Sequence, residues 1–150
     1  MKKFAFSLER MMNFQSQNLE KEMGILGRMT AERDALEAQK QDMAEKAAGV
    51  QADIARREAE GTTIFMLKAC FSIRESARNQ LEEMEEELRL LQAGLERQRQ
   101  IVTEASREVK KLEKLKEKQL EEYHRGEAKE QQETIAEHVA GNFVRRGASQ

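Results

Sequence analysis

The chain has 150 residues, 36% of them charged and only 5% aromatic, with no proline, no tryptophan and a formal net charge of -2. Together with a mean hydropathy of -0.81, this leaves too little apolar area for a compact interior. It also lacks the strongly basic balance that nucleic-acid binding requires. A disordered chain or a helical one remains. The absence of proline and the dominance of Ala, Glu, Lys, Leu, Gln, Arg and Met favour helix.

The opening MKKFAFSLER carries a basic pair and a few apolar residues, but Glu9 and Arg10 end any signal-peptide core too early. No apolar run reaches the 18 residues that a membrane span needs. The single cysteine, Cys70, cannot form an internal disulfide and sits among apolar neighbours, as a free thiol in a reducing compartment would. These features read as a cytoplasmic protein.

From Leu8 the sequence keeps a coiled-coil spacing of alternating four- and three-residue steps. The slots are Leu8, Met12, Gln15, Leu19, Glu22, Leu26, Met29, Arg33, Leu36, Lys40, Met43, Ala47, Val50 and Ile54, ten of the fourteen apolar. A second series runs Leu67, Cys70, Arg74, Ala77, Leu81, Met84, Leu88, Leu91, Leu95, Gln98, Val102, Ala105, Val109 and Leu112, with twelve of fourteen apolar. Each stripe is narrow and needs a partner helix.

Between them lies Glu60-Gly61-Thr62-Thr63. Glycine suits the left-handed position that ends a helix, and threonine caps the next one. Gly24, Gly27, Gly49 and Gly94 sit inside a continuing register and read as weak points of about 1 kcal/mol each. The turn therefore predicts an all-α fold, a long antiparallel two-helix coiled-coil hairpin with an overhanging C-terminal helix. A parallel dimer of one unbroken helix leaves Gly61-Thr62-Thr63 unexplained. The expected elements in one domain, 1–150, are helix 1 over about 5–58, a turn at about 59–64, helix 2 over about 65–140 and a disordered tail from about 141 to 150.

With the turn near Gly61-Thr62, residue i faces about residue 123 minus i, so Leu8 lies near Leu115. Beyond Leu115 the second helix can pair only with the first few residues. From Lys116 to Ala140 its apolar side chains thin to Leu120, Tyr123, Ile135, Val139 and scattered alanines. A helix polar on most faces is marginal alone, so this end should fray or find a partner. At the turn, Phe65, Phe71 and Ile73 occupy no seam slot; they either close the tip or form a binding patch. Phe4, Phe6 and Phe14 either pack on Leu115, Leu120 or Tyr123 or touch a partner directly.

No catalytic, cofactor or metal site emerges. His124 and His138 lie fourteen apart, and Glu137-His138 lacks the second histidine of a helical zinc motif. EEMEEE, residues 82–87, spreads its carboxylates around a helix rather than converging on one ion. Six basic residues against three acidic ones over Arg107–Lys118 mark either ordinary helix-face pairing or a stripe for an acidic partner. The chain does not read as an enzyme.

The start KKFAFSLERMMNF, the central Gly-Thr-Thr turn and the terminal KKLEKLKEKQLEEYHRGEAKEQQETIAEHVAGNF together resemble the flagellar FliJ family over essentially the whole chain. That resemblance implies a stalk-like coiled coil of the flagellar type III export apparatus, similar to the central stalk of rotary ATPases. It implies that the terminal end enters the pore of the hexameric export ATPase FliI and promotes ring assembly, here through Phe4, Phe6, Leu8, Lys118, Tyr123, Arg125 and Ile135. It implies that the region near the turn meets the cytoplasmic domain of the export gate protein FlhA, here through Phe71, Ile73, Ala77, Gln80, Leu81 and Met84. It further implies contact with export chaperones and a peripheral place at the inner-membrane export apparatus. Two alternatives stand beside it, a generic dimeric coiled-coil scaffold or tether and the stalk protein of a virulence injectisome.

Overall fold

The computed structural model describes residues 2–148. Two helices account for nearly all of them, α1 (Glu9–Glu60) and α2 (Ile64–Ala148), and the described residues contain no strand. Neither stripe can be buried by its own helix. All fourteen predicted slots of each series are accordingly buried or half-buried, whereas the residues between slots are mostly exposed. The two helices pack against each other as an all-α hairpin.

Gly61 turns the chain at φ 89°, the one positive φ among the described residues. A side chain there would clash with its own carbonyl, which is why glycine holds the position. Thr63 then starts α2: its Oγ1 accepts the Met66 backbone N–H at 3.2 Å and its carbonyl accepts that of Leu67 at 3.1 Å. The turn is thus tighter, 61–63, than the expected 59–64.

The outer boundaries also differ from expectation. Residues 2–6 are not helical, and α1 starts at Glu9 rather than near 5, with the Glu9 N–H donating to the Phe6 carbonyl at 3.1 Å. At the other end, α2 continues to Ala148, where a disordered tail is expected from about 141. Gly141 alone costs only about 1 kcal/mol in a helix. No proline stops the run, and Arg145 and Arg146 in its last turn favour the negative helix end. Ser149 and Gln150 lie outside the described residues.

The helices contribute to two compact units, one of residues 20–103 and one of the remainder up to Leu19 and from Glu104. In the 20–103 unit, Ile54 and Leu95 are the most deeply buried side chains, and Cys70 is a buried free thiol. Facing residues there pair Glu22 with Gln98, Met29 with Gly94, Lys40 with Glu85 and Gln51 with Arg74. Their numbers sum to between 120 and 125, close to the predicted antiparallel relation.

Gln98 is the buried polar residue of this seam. Its Nε2 donates to the Glu22 carbonyl at 3.0 Å and to the Glu22 carboxylate at 2.6 Å. A shifted register would bury that amide without acceptors, at a cost of about 1–3 kcal/mol. One polar layer therefore fixes the alignment that leucines alone would leave loose. Gly94, expected as a mere weak point, stands where an added Cβ would lie 3.1 Å from Met29 Cε.

In the other unit, Phe6, Ala105, Val109 and Leu112 are buried. Lys116 occupies the next seam slot and places Nζ 3.3 and 3.0 Å from the two Glu9 carboxylate oxygens. Both groups are partly exposed, so this pair contributes only about 0.5 kcal/mol.

The glycines separate turn from weak point experimentally. Gly61→Ala should destabilise by about 1–2 kcal/mol because it forces a left-handed alanine. Gly24→Ala and Gly27→Ala have open space around the new Cβ and should each stabilise by about 0.5–1 kcal/mol. Urea denaturation followed by helix circular dichroism reads both signs.

Candidate partner-binding surfaces

At the turn of the 20–103 unit, Ile64 and Phe65 project outward, Phe65 being 79% exposed. Phe65 therefore does not close the tip. Phe71 and Ile73 also leave the seam, but two residues on a helix are about 200° apart, so they occupy opposite flanks. Phe71 lies beneath Arg74, whose Cζ is 4.7 Å from the ring centroid. Arg74 in turn donates to Gln51 Oε1 at 3.4 Å. Ile73, 56% exposed, instead borders a shallow groove. Met43 and Val50 of α1 and Ile73, Ala77 and Gln80 of α2 form its apolar and polar lining.

The six expected gate residues thus separate. Ile73, Ala77 and Gln80 share the groove, although Ala77 is itself buried and offers little surface. Phe71 faces the other flank. Leu81 and Met84 are half-buried seam residues, covered by the facing helix. A linear stretch of sequence cannot be one patch on a helix, and the heptad assigns its members to different faces.

Beside the groove, Asp53 accepts hydrogen bonds from Arg57, at 3.0 Å to Nε, and from Arg56. The Arg57 hydrogen bond is the leading cause that holds the Asp53 carboxyl below its usual range. Asp53 and Lys46 also line the groove, so its rim carries both signs of charge.

In the other unit, the expected ring residues divide between a docked arm and open helix. Phe6 is only 7% exposed, so in this conformation it is packed rather than displayed. Phe4, Leu8 and Tyr123 are half-buried. The Phe4 and Tyr123 rings lie 5.6 Å apart, and the Tyr123 hydroxyl donates to the Lys2 carbonyl at 2.6 Å. The seam register of α2 accordingly runs on through Lys116, Gln119, Tyr123 and Gly126, all half-buried. Phe14, by contrast, is 66% exposed.

Holding this arm is a near balance. Burying Phe6 contributes about 2 kcal/mol, the aromatic pair about 1 and the hydroxyl bond about 1. Fixing the five backbones from Lys2 to Phe6 costs about 1 kcal/mol each at the low end. Docked and lifted arms therefore differ by only a few kcal/mol.

Beyond the arm, every residue from Ala128 to Ala148 is exposed. Continuing the seam register past Gly126 gives Glu130, Glu133 and Glu137, three acidic residues where a facing helix would need apolar ones. The apolar residues of this stretch, Ile135, Val139 and Phe143, recur every four positions. They lie about 150° round the helix from those glutamates. Phe143 is 77% exposed. Lys118 and Arg125 are exposed as well. Sequence reasoning found Ile135 but missed Phe143 and Val144, which the expected disorder of the tail concealed.

Among the described residues, no group of three or more His, Cys, Asp or Glu side chains is placed to hold a metal ion. No described helix is long and apolar enough to cross a membrane.

The model of the flagellar FliJ protein family matches residues 4–148, nearly the whole chain. The chain belongs to the FliJ family. FliJ membership makes it a non-enzymatic component of the flagellar export apparatus built on a helical hairpin. No curated protein and no solved structure matches the chain. The match spans both surfaces described above, the turn end and the open end of α2, and includes the arm from Phe4 onward.

Tyr123 reports on the arm, because it is the chain's one tyrosine and there is no tryptophan. Burial, followed by the Glu127 charge and hydrogen bond and the Glu130 charge, raises its pKa above 10.0. The folded form thus favours the phenol. Its contribution to stability is present below pH 10.0 and is lost as pH rises through the raised value. Spectrophotometric titration should find the tyrosine ionising above 10.0 in the native protein and near 10.0 in urea. Glu127→Gln should move the native value down.

Proposed function

We propose that this chain is a stalk-like coupling component, whose open end of α2 enters the ring of the hexameric export ATPase FliI and promotes its assembly and activity. The observation that carries this reading is the apolar stripe Ile135, Val139 and Phe143, uncovered within the chain and rotated away from the seam. Had α2 simply outrun α1, the exposed apolar residues would continue the seam. They do not; the seam ends in Glu130, Glu133 and Glu137. A stripe on a new face serves a new neighbour, and an amphipathic helix buries such a face in an apolar groove or pore. Lys118 and Arg125, exposed on the same helix, offer cations to that neighbour.

At the turn end, the groove lined by Ile73, Ala77 and Gln80 is the surface we assign to the cytoplasmic domain of the export gate FlhA. Small and apolar residues make it receptive to a partner side chain, and it is free of the cation–π contact that occupies Phe71. A chain with one such surface in each unit can link the ATPase to the gate and receive export chaperones, in a peripheral position at the membrane-embedded apparatus. Each seam is satisfied within the chain, which supports a monomeric hairpin over a generic dimeric scaffold.

The two surfaces are separable by mutation. Replacing Ile135, Val139 and Phe143 together by serine should leave helix content and thermal stability of the isolated protein nearly unchanged, because none is packed. The same variant should lose most of its stimulation of ATP hydrolysis by the export ATPase; retained stimulation would sink the open-end assignment. Ile73→Ala should weaken binding of the gate's cytoplasmic domain by about 1 kcal/mol or more, measured by calorimetry. Phe71→Ala should cost much less, and equal losses would show that the groove is not the contact.

A further inference from the structure

We propose that the N-terminal arm, Lys2–Phe6, is an intramolecular strap that covers α2 at Tyr123 and lifts to let that stretch meet the partner. The inference rests on the open end of α2 being the ATPase-binding end. Its own basis is how the arm is held. α1 begins only at Glu9, whose partner on α2 is Lys116. The next three seam slots of α2 thus extend past the start of α1, and the arm meets the middle one, Tyr123, through Phe4 and the Lys2 carbonyl.

The arm is not helical, and the contacts described for it are the burial of Phe6, Phe4 against Tyr123, and the Tyr123 hydroxyl on the Lys2 carbonyl. Lys2, Lys3, Ala5 and Ser7 are all exposed. A segment held so lightly belongs to the low-stability part of a fold, which opens locally without global unfolding. Lifting it releases Phe4 and Phe6 and bares Tyr123 on the seam face of α2. A partner that binds the bared helix sees its affinity reduced by the fraction of molecules in the lifted state. The strap is therefore a built-in restraint on partner binding, relieved by whatever loosens the arm.

Two variants test it in the full-length protein. Phe6→Ala should leave the helical circular dichroism unchanged while raising acrylamide quenching of Tyr123 fluorescence at least about twofold, as the ring loses its cover. Tyr123→Phe removes one hydroxyl and its hydrogen bond while keeping the ring. It should bind the hexameric export ATPase about two- to tenfold more tightly than the unmodified chain. Unchanged or weaker binding would overturn the strap, since the arm would then be neutral or itself a contact. If the ATPase binds neither form, the functional reading fails on its own. The strap is then decided by fluorescence, and unchanged quenching in Phe6→Ala refutes it.

Discussion

Two narrow apolar stripes, each one slot wide and useless to its own helix, must cover each other for either helix to persist. That mutual dependence organises the molecule. Isolated helices in water are marginal because their propensity gains barely exceed the cost of ordering, and a sequence with 36% charged residues has no other source of burial. A left-handed glycine at position 61 returns the chain on itself, so that the second stripe comes from the same chain. The Gln98 amide on Glu22 then selects one alignment from the several that a leucine seam would tolerate. Register matters here beyond stability, because sliding one helix past the other would change which residues stand uncovered at the ends.

The seam also explains its own limits. It holds as far as Tyr123, where Phe4 and the Lys2 carbonyl of the non-helical arm take the place of α1. It stops where Glu130, Glu133 and Glu137 enter the register, since burying carboxylates against a facing helix costs more than apolar contacts could return. Acidic residues on that face keep the end of α2 from recruiting a chance helix, while the apolar stripe on another face stays open. The charge pattern thus acts as a selector. It discourages one mode of pairing and leaves another.

Much of this was legible in the amino-acid order. The two seams, the Gly61 turn and the near-constant sum of facing residue numbers all follow from periodicity and one glycine, because heptad spacing has a single simple solution in a chain this polar. What spacing could not supply was the contacts made by residues outside the seam. Phe71 and Ile73 are neighbours in sequence yet occupy opposite flanks, and the cation–π contact of Phe71 depends on an Arg74 rotamer that no pattern encodes. The docking of Phe6 was equally hidden, since the arm has no period at all. The C-terminal boundary was misplaced for a different reason: arginines and glycines look like a tail, but without proline or a competing turn nothing halts a helix already formed.

Covered and open apolar residues therefore carry different information. Those in the seam report how the chain folds, and they would be similar in any two-helix protein of this composition. Those left open at the turn, Ile64, Phe65 and Ile73, and at the far end, Ile135, Val139 and Phe143, cost solubility without adding to the hairpin's stability. Scattered exposed leucines are ordinary on any surface. A stripe repeating every four residues on an exposed stretch of helix is not, because its spacing matters only to something that lies along it. In a protein of the flagellar export apparatus, that regularity is the ground on which we propose the end of α2 as a binding element rather than surplus helix.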